Sequence, residues 1–423
     1  MQKEQNGINR RNFLKTIGAA GFGSVLASTQ AIPGSSKPND AQTEQQPAYP
    51  QVPKRRLGKL TRLNESGKKV PLEVPCLSFG TFQVDTDNQL LLRKTLHWGI
   101  NYWDTAYNYS GGNSELGIGK FLARDPKIRK QLSIASKASN TTTIADMEDR
   151  LQTSLKRMKT DYIDLYYLHE IETTERLNND LRDWAHNAKQ RGLIRFFGFT
   201  THRNMTECLN VGAKLDYVDA IMLKYNFREM QDKRLNAAID ACSKAGIGLT
   251  AIKVMGKGQV KKIETEGDKK LTEHFLKRGF TEGQAKIKAV LADERISSAC
   301  VGMKNMTLLT SNIAAVFDKT EFTDEDMKVF RKVSQETSSG YCAGCASICD
   351  SALPDVPCVS DVMRYLMYYN SYGAKDDARR LFAQIPAEIR SRLLSTDYSL
   401  AEARCPQRLP IARLMAEAAT TLA

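Results

Sequence analysis

Three polar residues close three successive apolar, strand-like runs of this 423-residue chain. Asp104 ends the run 100–103, with Tyr109 five residues further on; Lys137 ends 132–136, and His169 ends 162–168. Lys137 follows Asp104 by 33 positions and His169 follows Lys137 by 32, about the length of a strand-plus-helix unit. In a barrel of such units the carboxyl ends of the strands share one face, where Asp104, Tyr109, Lys137 and His169 would converge. A tyrosine hydroxyl keeps its proton until pH ~10, and a nearby ammonium lowers that value. A buried lysine needs a partner to stay charged, and Asp104 is available. His169 then donates a hydrogen bond that orients a carbonyl oxygen. A tuned acid beside a positioned carbonyl suits hydride addition to C=O.

The elements that must position these residues are short apolar runs alternating with helical patterns, the mark of parallel β/α architecture. Strands are expected at 77–82, at the three runs above, and at 196–200, 220–223, 248–253 and 298–302. Helices are expected near 87–97, 114–124, 144–158 and 176–191, and a hairpin over the barrel floor at 56–73.

The stretch from Asp104 to Tyr109 with Ser114 and Glu115 after it, Lys137 at a strand end and Leu168 before His169 resemble the aldo/keto reductases. The resemblance covers roughly residues 53–320 and implies a (β/α)8 TIM barrel over 53–322. It implies a catalytic set of Tyr109 as acid/base, Lys137 tuning it, Asp104 pairing with Lys137 and His169 orienting substrate. It also implies NADP or NAD. The family holds the nicotinamide carboxamide with Ser-Asn after the fifth strand and Gln at the sixth; this chain has Thr200, Thr201 and Met222. Lys253 stands where an aromatic residue stacks on the nicotinamide. Gly302, Lys304 and Asn312 keep the outline of the phosphate loop, whereas Leu308 and Ser311 replace an arginine and an acidic residue. These departures weaken the expected hold on a free nucleotide.

After a helix at 323–335 comes a tight cluster, Cys342, Cys345 and Cys349, and far downstream Cys405 precedes Pro406. Ferredoxins with two clusters use three clustered cysteines and a Cys-Pro cysteine from the other half of the module. Leu353, Ser395, Tyr398 and Ala401 occupy the positions of the second cluster's ligands, so one whole set is gone and the other is complete. The tail, 323–423, thus reads as a mostly helical ferredoxin-like module with one [4Fe–4S] cluster on Cys342, Cys345, Cys349 and Cys405. Cys345 and Cys349 are one residue further apart than the bacterial pattern, and Cys358 competes as fourth ligand. Disulfides in an oxidising compartment and a four-thiolate zinc site are the alternatives. Cys76, Cys208, Cys242 and Cys300 read as buried thiols. Between Val359 and Ala387, the run from Asp361 has helical periodicity that would cover the cluster, with Gly373 as a helix stop before a helix at 374–383.

The head is an address. Arg10 and Arg11 followed by Phe13, Leu14 and Lys15 form a twin-arginine pattern before a mild apolar stretch, 16–28, too short to span a membrane. Residues 1–31 are expected to be a Tat signal peptide and 32–52 a disordered linker, making the protein periplasmic, or membrane-tethered if uncleaved. The formal charge of +13 is scattered in short pairs and triplets, with no nucleic-acid motif. Two functions follow. One is an exported oxidoreductase acting on a small carbonyl or alcohol, coupled through its cluster to an electron-transfer protein. The other is a binding or relay module on a barrel with an eroded nucleotide site.

Overall fold

The computed structural model describes residues 50–64, 66–256, 266–336, 342–372 and 374–423. The expected signal peptide, most of the linker and the Gly373 stop lie outside the described residues. Strands β1 (Lys54–Leu63) and β2 (Lys69–Pro75) form an antiparallel hairpin. Strands β3 (Leu77–Gly80), β4 (Tyr102–Asp104), β5 (Ser133–Ala138), β6 (Ile163–Leu168), β7 (Ile194–Thr201), β8 (Ala220–Lys224), β9 (Gly248–Ile252) and β10 (Ser298–Gly302) close into an eight-stranded parallel barrel. Every residue of β5 and β6 is buried, as parallel strands covered on both faces require.

The hairpin seals the floor. Its Leu57, Leu60, Leu72 and Val74 pack into one cluster with the barrel-interior Tyr102, Leu165, Tyr167 and Met222. Gly58 makes this approach possible: at φ +56°, a Cβ there would meet the Gly246 carbonyl oxygen at 2.3 Å.

Outside the strands lie α1 (Gln89–His97), α2 (Asn113–Arg124), α3 (Ile144–Met158), α4 (Asn179–Gln190), α5 (Met205–Gly212), α6 (Lys233–Lys244), α7 (Glu266–Lys277), α8 (Glu282–Leu291) and α9 (Met306–Phe317). The expected helix 176–191 starts three residues late. Asn178 caps it by accepting from Leu181 N, and Arg176 instead donates to the Thr141 carbonyl at 2.6 Å. The first barrel strand ends at Gly80 rather than 82, because the Thr81 side chain turns to bond the Asp104 carbonyl and Ser114.

Helix α10 (Asp324–Glu336) follows. Its Phe330 stacks on Phe227 at 4.9 Å and lies 4.8 Å from Phe275 of α7, so this helix packs on the barrel's flank. The rest of the tail is helical among the described residues: α11 (Ala346–Cys349), α12 (Val359–Tyr372), α13 (Lys375–Ala383), α14 (Ala387–Arg392), α15 (Ser399–Arg404) and α16 (Ile411–Thr421). It has its own core, in which Val362, Leu366 and Met363 of α12 meet Leu414, Met415 and Ala418 of α16. Leu353, Tyr398 and Ala401 belong to that core, so apolar packing fills most of the region where a second set of ligands would stand. No helix among the described residues is long and apolar enough to cross a membrane.

Candidate active site

The barrel brings the four residues singled out in the sequence to one mouth. Lys137 Nζ lies 2.6 Å from Asp104 Oδ1 and 3.2 Å from the Tyr109 hydroxyl, and donates to the Thr105 carbonyl at 2.6 Å. The Tyr109 and His169 rings meet edge-on with centroids 6.1 Å apart. Strand pairing fixes this register: Lys137 stands opposite Tyr167, and Ala138 opposite Leu168, which precedes His169. A buried network stiffens the loop after β4. Glu115 accepts from Ser136 Oγ at 2.7 Å and from Arg157 at 3.2 Å, and Arg157 also donates to the Tyr107 carbonyl at 2.7 Å.

Burial dominates the electrostatics. It raises the Tyr109 hydroxyl to about 12, and Lys137 pulls only part of that back. The expected net lowering therefore does not occur, because burial of the hydroxyl outweighs the neighbouring ammonium. Burial alone would discharge Lys137, but the Asp104 carboxylate and the Tyr109 oxygen hold its pKa above the ordinary value. Burial and the charge of Lys137 keep His169 neutral well below its usual range.

Four further residues shape the mouth. Ser139 Oγ lies 2.6 Å from His169 Nδ1 and bonds Asn108 Oδ1 at 2.9 Å. Glu170, at φ +55°, places Oε1 3.7 Å from His169 Nε2 and 3.4 Å from His202 Nδ1. That carboxylate is half exposed and screened, so burial and Lys253 prevail and lower His202 to about 3. Ser139 is two residues after Lys137 and on the same strand-end loop; that i, i+2 spacing was the available signal. Glu170 and His202 become visible only once adjacent strands are paired.

The expected cofactor residues divide. Thr200 and Thr201 are fully buried at the end of β7; Thr200 Oγ1 accepts from Glu170 N, and Thr201 Oγ1 bonds the Ile171 and Arg203 carbonyls at 2.9 and 2.8 Å. Met222 lies in the barrel's interior core. Lys253, exposed at φ +56°, follows β9 directly and its charge acts on both His169 and His202. Gly302 ends β10 and Lys304 lies between it and α9, both exposed, and Asn305 caps the helix by accepting from Leu308 N at 2.9 Å. Asn312 is buried on the face of α9 that carries Leu309 and Ile313.

The tail forms a second constellation. Cys342, Cys345, Cys349 and Cys405 line one small cavity, otherwise walled by Val359, Met363, Leu409 and Ile411 among others. Burial raises the Cys342 thiol to about 11 and Cys345 to about 12, and the neighbouring cysteines raise Cys345 and Cys349 further. All nine cysteines are free thiols. Cys358 does not line the cavity; its thiol, pushed up to about 11 by burial, faces the charges of Asp350 and Asp361. No three described His, Cys, Asp or Glu side chains close on one point as a single ion requires. A zinc site needs four sulfurs at ~2.3 Å from one centre, and among the described residues no metal-binding group is gathered, for zinc or for iron. The cysteine loop sits on the barrel mouth: Arg203 Nε donates to the Ala343 carbonyl at 3.3 Å, and Glu172 bonds both Arg203 and Ser347.

A parallel eight-stranded barrel with these polar residues at its carboxyl end defines a (β/α)8 oxidoreductase. Residues 77–335, more than half of the chain, match the aldo/keto reductase family, and the protein belongs to it. It is 23% identical over 292 residues to the uncharacterized oxidoreductase YqkF of Bacillus subtilis, covering 62% of this chain and 91% of that protein. It is 24% identical over 312 residues to L-glyceraldehyde 3-phosphate reductase of Escherichia coli K12, covering 61% and 88%. The fold resembles the holo form of aldo-keto reductase AKR11C1 from Bacillus halodurans (TM-score 0.53, 23% identity, 67% of this chain and 96% of that one). Membership makes the chain an oxidoreductase rather than a purely binding module. The family match ends before the first tail cysteine.

Proposed function

We propose that this protein reduces a small carbonyl compound, or oxidises the alcohol, at the barrel mouth. The observation that carries this is Lys137 Nζ held between Asp104 Oδ1 and the Tyr109 hydroxyl, at 2.6 and 3.2 Å. Thr200, Thr201, Lys253, Gly302, Lys304 and Asn312 are the residues that would hold NADPH or NADH, which would supply hydride for the carbonyl carbon. Lys304 offers an exposed ammonium to phosphate, whereas Thr200 and Thr201 are fully buried at the end of β7. Tyr109 gives its proton to the oxygen that becomes the alcohol. Lys137 stabilises the phenolate left behind, and Asp104 keeps Lys137 charged. His169, held by the bond between its Nδ1 and Ser139 Oγ, faces the position of the carbonyl oxygen and orients it. A Tyr109→Phe enzyme, assayed with NADPH and NADH against a panel of aldehydes and ketones, is expected to lose about 10³-fold in kcat with little change in nucleotide binding. Retention of full activity would overturn Tyr109 as the acid.

In the tail we propose a [4Fe–4S] cluster on Cys342, Cys345, Cys349 and Cys405, which passes single electrons to or from a partner. Support comes from Cys405, distant in sequence, joining the clustered Cys342, Cys345 and Cys349 around one apolar cavity, with Cys358 outside it. About four irons and four sulfides per chain, after anaerobic purification, are expected; neither would return the tail to the disulfide reading. The twin-arginine head supports export of the folded, loaded protein to the periplasm. Blocked export on changing Arg10 and Arg11 to Lys tests that.

A further inference from the structure

Cys405 is a wall of two spaces. Inward it lines the cysteine cavity; outward it joins Pro406 and Gln407 in the floor of a wider cleft between the tail, α5 and the start of α6. It alone among the four cysteines is not fully buried. Four cations line this cleft: Lys214 and Arg234 from the barrel, Arg404 and Arg408 from the tail, all exposed. Arg404 and Arg408 flank Cys405 in a turn closed by Arg408 N on the Cys405 carbonyl at 2.9 Å. Two carboxylates also line the cleft, Asp232, which caps α6, and Glu207, which accepts from Asn204 at 2.5 Å, so the cations outnumber the anions four to two. Positive charge therefore gathers at the one place where the cysteine cavity approaches solvent.

We infer that this cleft docks an acidic one-electron carrier protein, which exchanges electrons with the cluster at its Cys405 edge. This rests on the proposed cluster. In the exchange the reduced cluster loses one electron and the oxidised carrier gains it; no bond or proton moves. The barrel mouth lies against the other end of the cysteine loop, at Ala343 and Arg203, so carrier and carbonyl substrate do not compete for one opening. A concave cleft suits a protruding acidic surface better than a flat bilayer, and steering by complementary charge raises association rates ~10- to 10³-fold at low salt.

The test uses dithionite-reduced, iron-loaded protein in stopped flow, oxidised by ferricyanide, an anion, or hexaamminecobalt(III), a cation. Reversing charge with Arg404→Glu and Arg408→Glu together is expected to slow ferricyanide about tenfold and to quicken the cobalt complex, with both effects removed at high salt. Lys130→Glu, at the barrel's opposite end, is expected to change neither. Unchanged rates for both oxidants in the double variant, at full iron and sulfide content, would overturn the docking site. Binding to phosphatidylserine vesicles that the double variant loses would overturn it in favour of a lipid surface. Wild-type protein without iron or sulfide would instead remove the cluster on which the inference stands.

Discussion

The barrel mouth and the cysteine cavity are both buried, yet only one is complete as polypeptide. At the mouth each charge meets its counterpart: Lys137 has Asp104, the Thr105 carbonyl and Tyr109 within 3.2 Å, and His169 is held by Ser139. In the tail, four sulfurs face one another across apolar walls, and each ionised thiol raises its neighbours. The mouth is preorganised by strand register. The cavity holds like groups together with Arg364 acting as a counter-charge on Cys342, an arrangement that a bound cationic centre would stabilise further.

Removing one ligand breaks this contrast most sharply. Cys405→Ser is expected to lower iron from about four per chain to near zero, whereas Cys358→Ser keeps it. Hydrogen exchange should rise in α12 and α16 of the Cys405 variant while the barrel strands stay protected, because the tail has its own core. Equal iron in both variants would remove Cys405 from the ligand set.

At the mouth, Lys137→Met is expected to destabilise the barrel by about 3–5 kcal/mol, since it leaves the buried Asp104 carboxylate without its ammonium. Urea unfolding measures this, and adding Asp104→Asn should recover part of the loss. The same substitution removes what pulls Tyr109 down from its burial-raised value. Alcohol oxidation, which would need the phenolate, is expected to rise with pH toward 12; in Lys137→Met it should require still higher pH. An unshifted pH profile would show that Lys137 does not tune Tyr109.

Residues at strand ends were legible because period and spacing carry them: eight strands, the floor hairpin and the meeting of Asp104, Tyr109, Lys137 and His169 all follow from local pattern. What was illegible depends on cross-strand geometry or solvation. Glu170 and His202 belong to different β/α units, and only the pairing of β6 with β7 makes them neighbours. The direction of the Tyr109 shift turned on how completely the mouth excludes water, which residue types do not state. The cysteine spacing indicated a ferredoxin-like ligand set, but which of Cys405 and Cys358 shares the cavity required the fold of the tail.

His202 gives a smaller and purely acid–base contrast. Its folded value, about 3, lies below the ordinary ~6.5 because of burial and the charge of Lys253. The unfolded chain therefore takes up the extra proton, so this contribution is intact above pH 6.5 and is lost as pH falls toward 3. Between pH 7 and pH 5 the loss amounts to about 2 kcal/mol. Urea unfolding of wild type and His202→Gln at both pH values should show the variant losing less by that amount. Identical losses would mean that His202 is not buried as a neutral group.

The smallest effect probes whether the two regions act as one body. Arg203 is the hinge between them: its guanidinium pairs with Glu172 at the mouth and bonds the Ala343 carbonyl of the cysteine loop. Arg203→Gln removes a half-exposed ion pair and one hydrogen bond, so global stability should fall by only about 1 kcal/mol. Locally the consequence is larger in kind. Ser347 still reaches Glu172, but the loop carrying Cys342 and Cys345 loses its fixed bond to the barrel. Amide exchange at residues 342–349 should quicken, with the barrel unchanged and iron retained. If exchange there stays as in wild type, the tail holds its own loop and the barrel mouth is only a neighbour. If iron is lost as well, the barrel is part of what shapes the cysteine cavity.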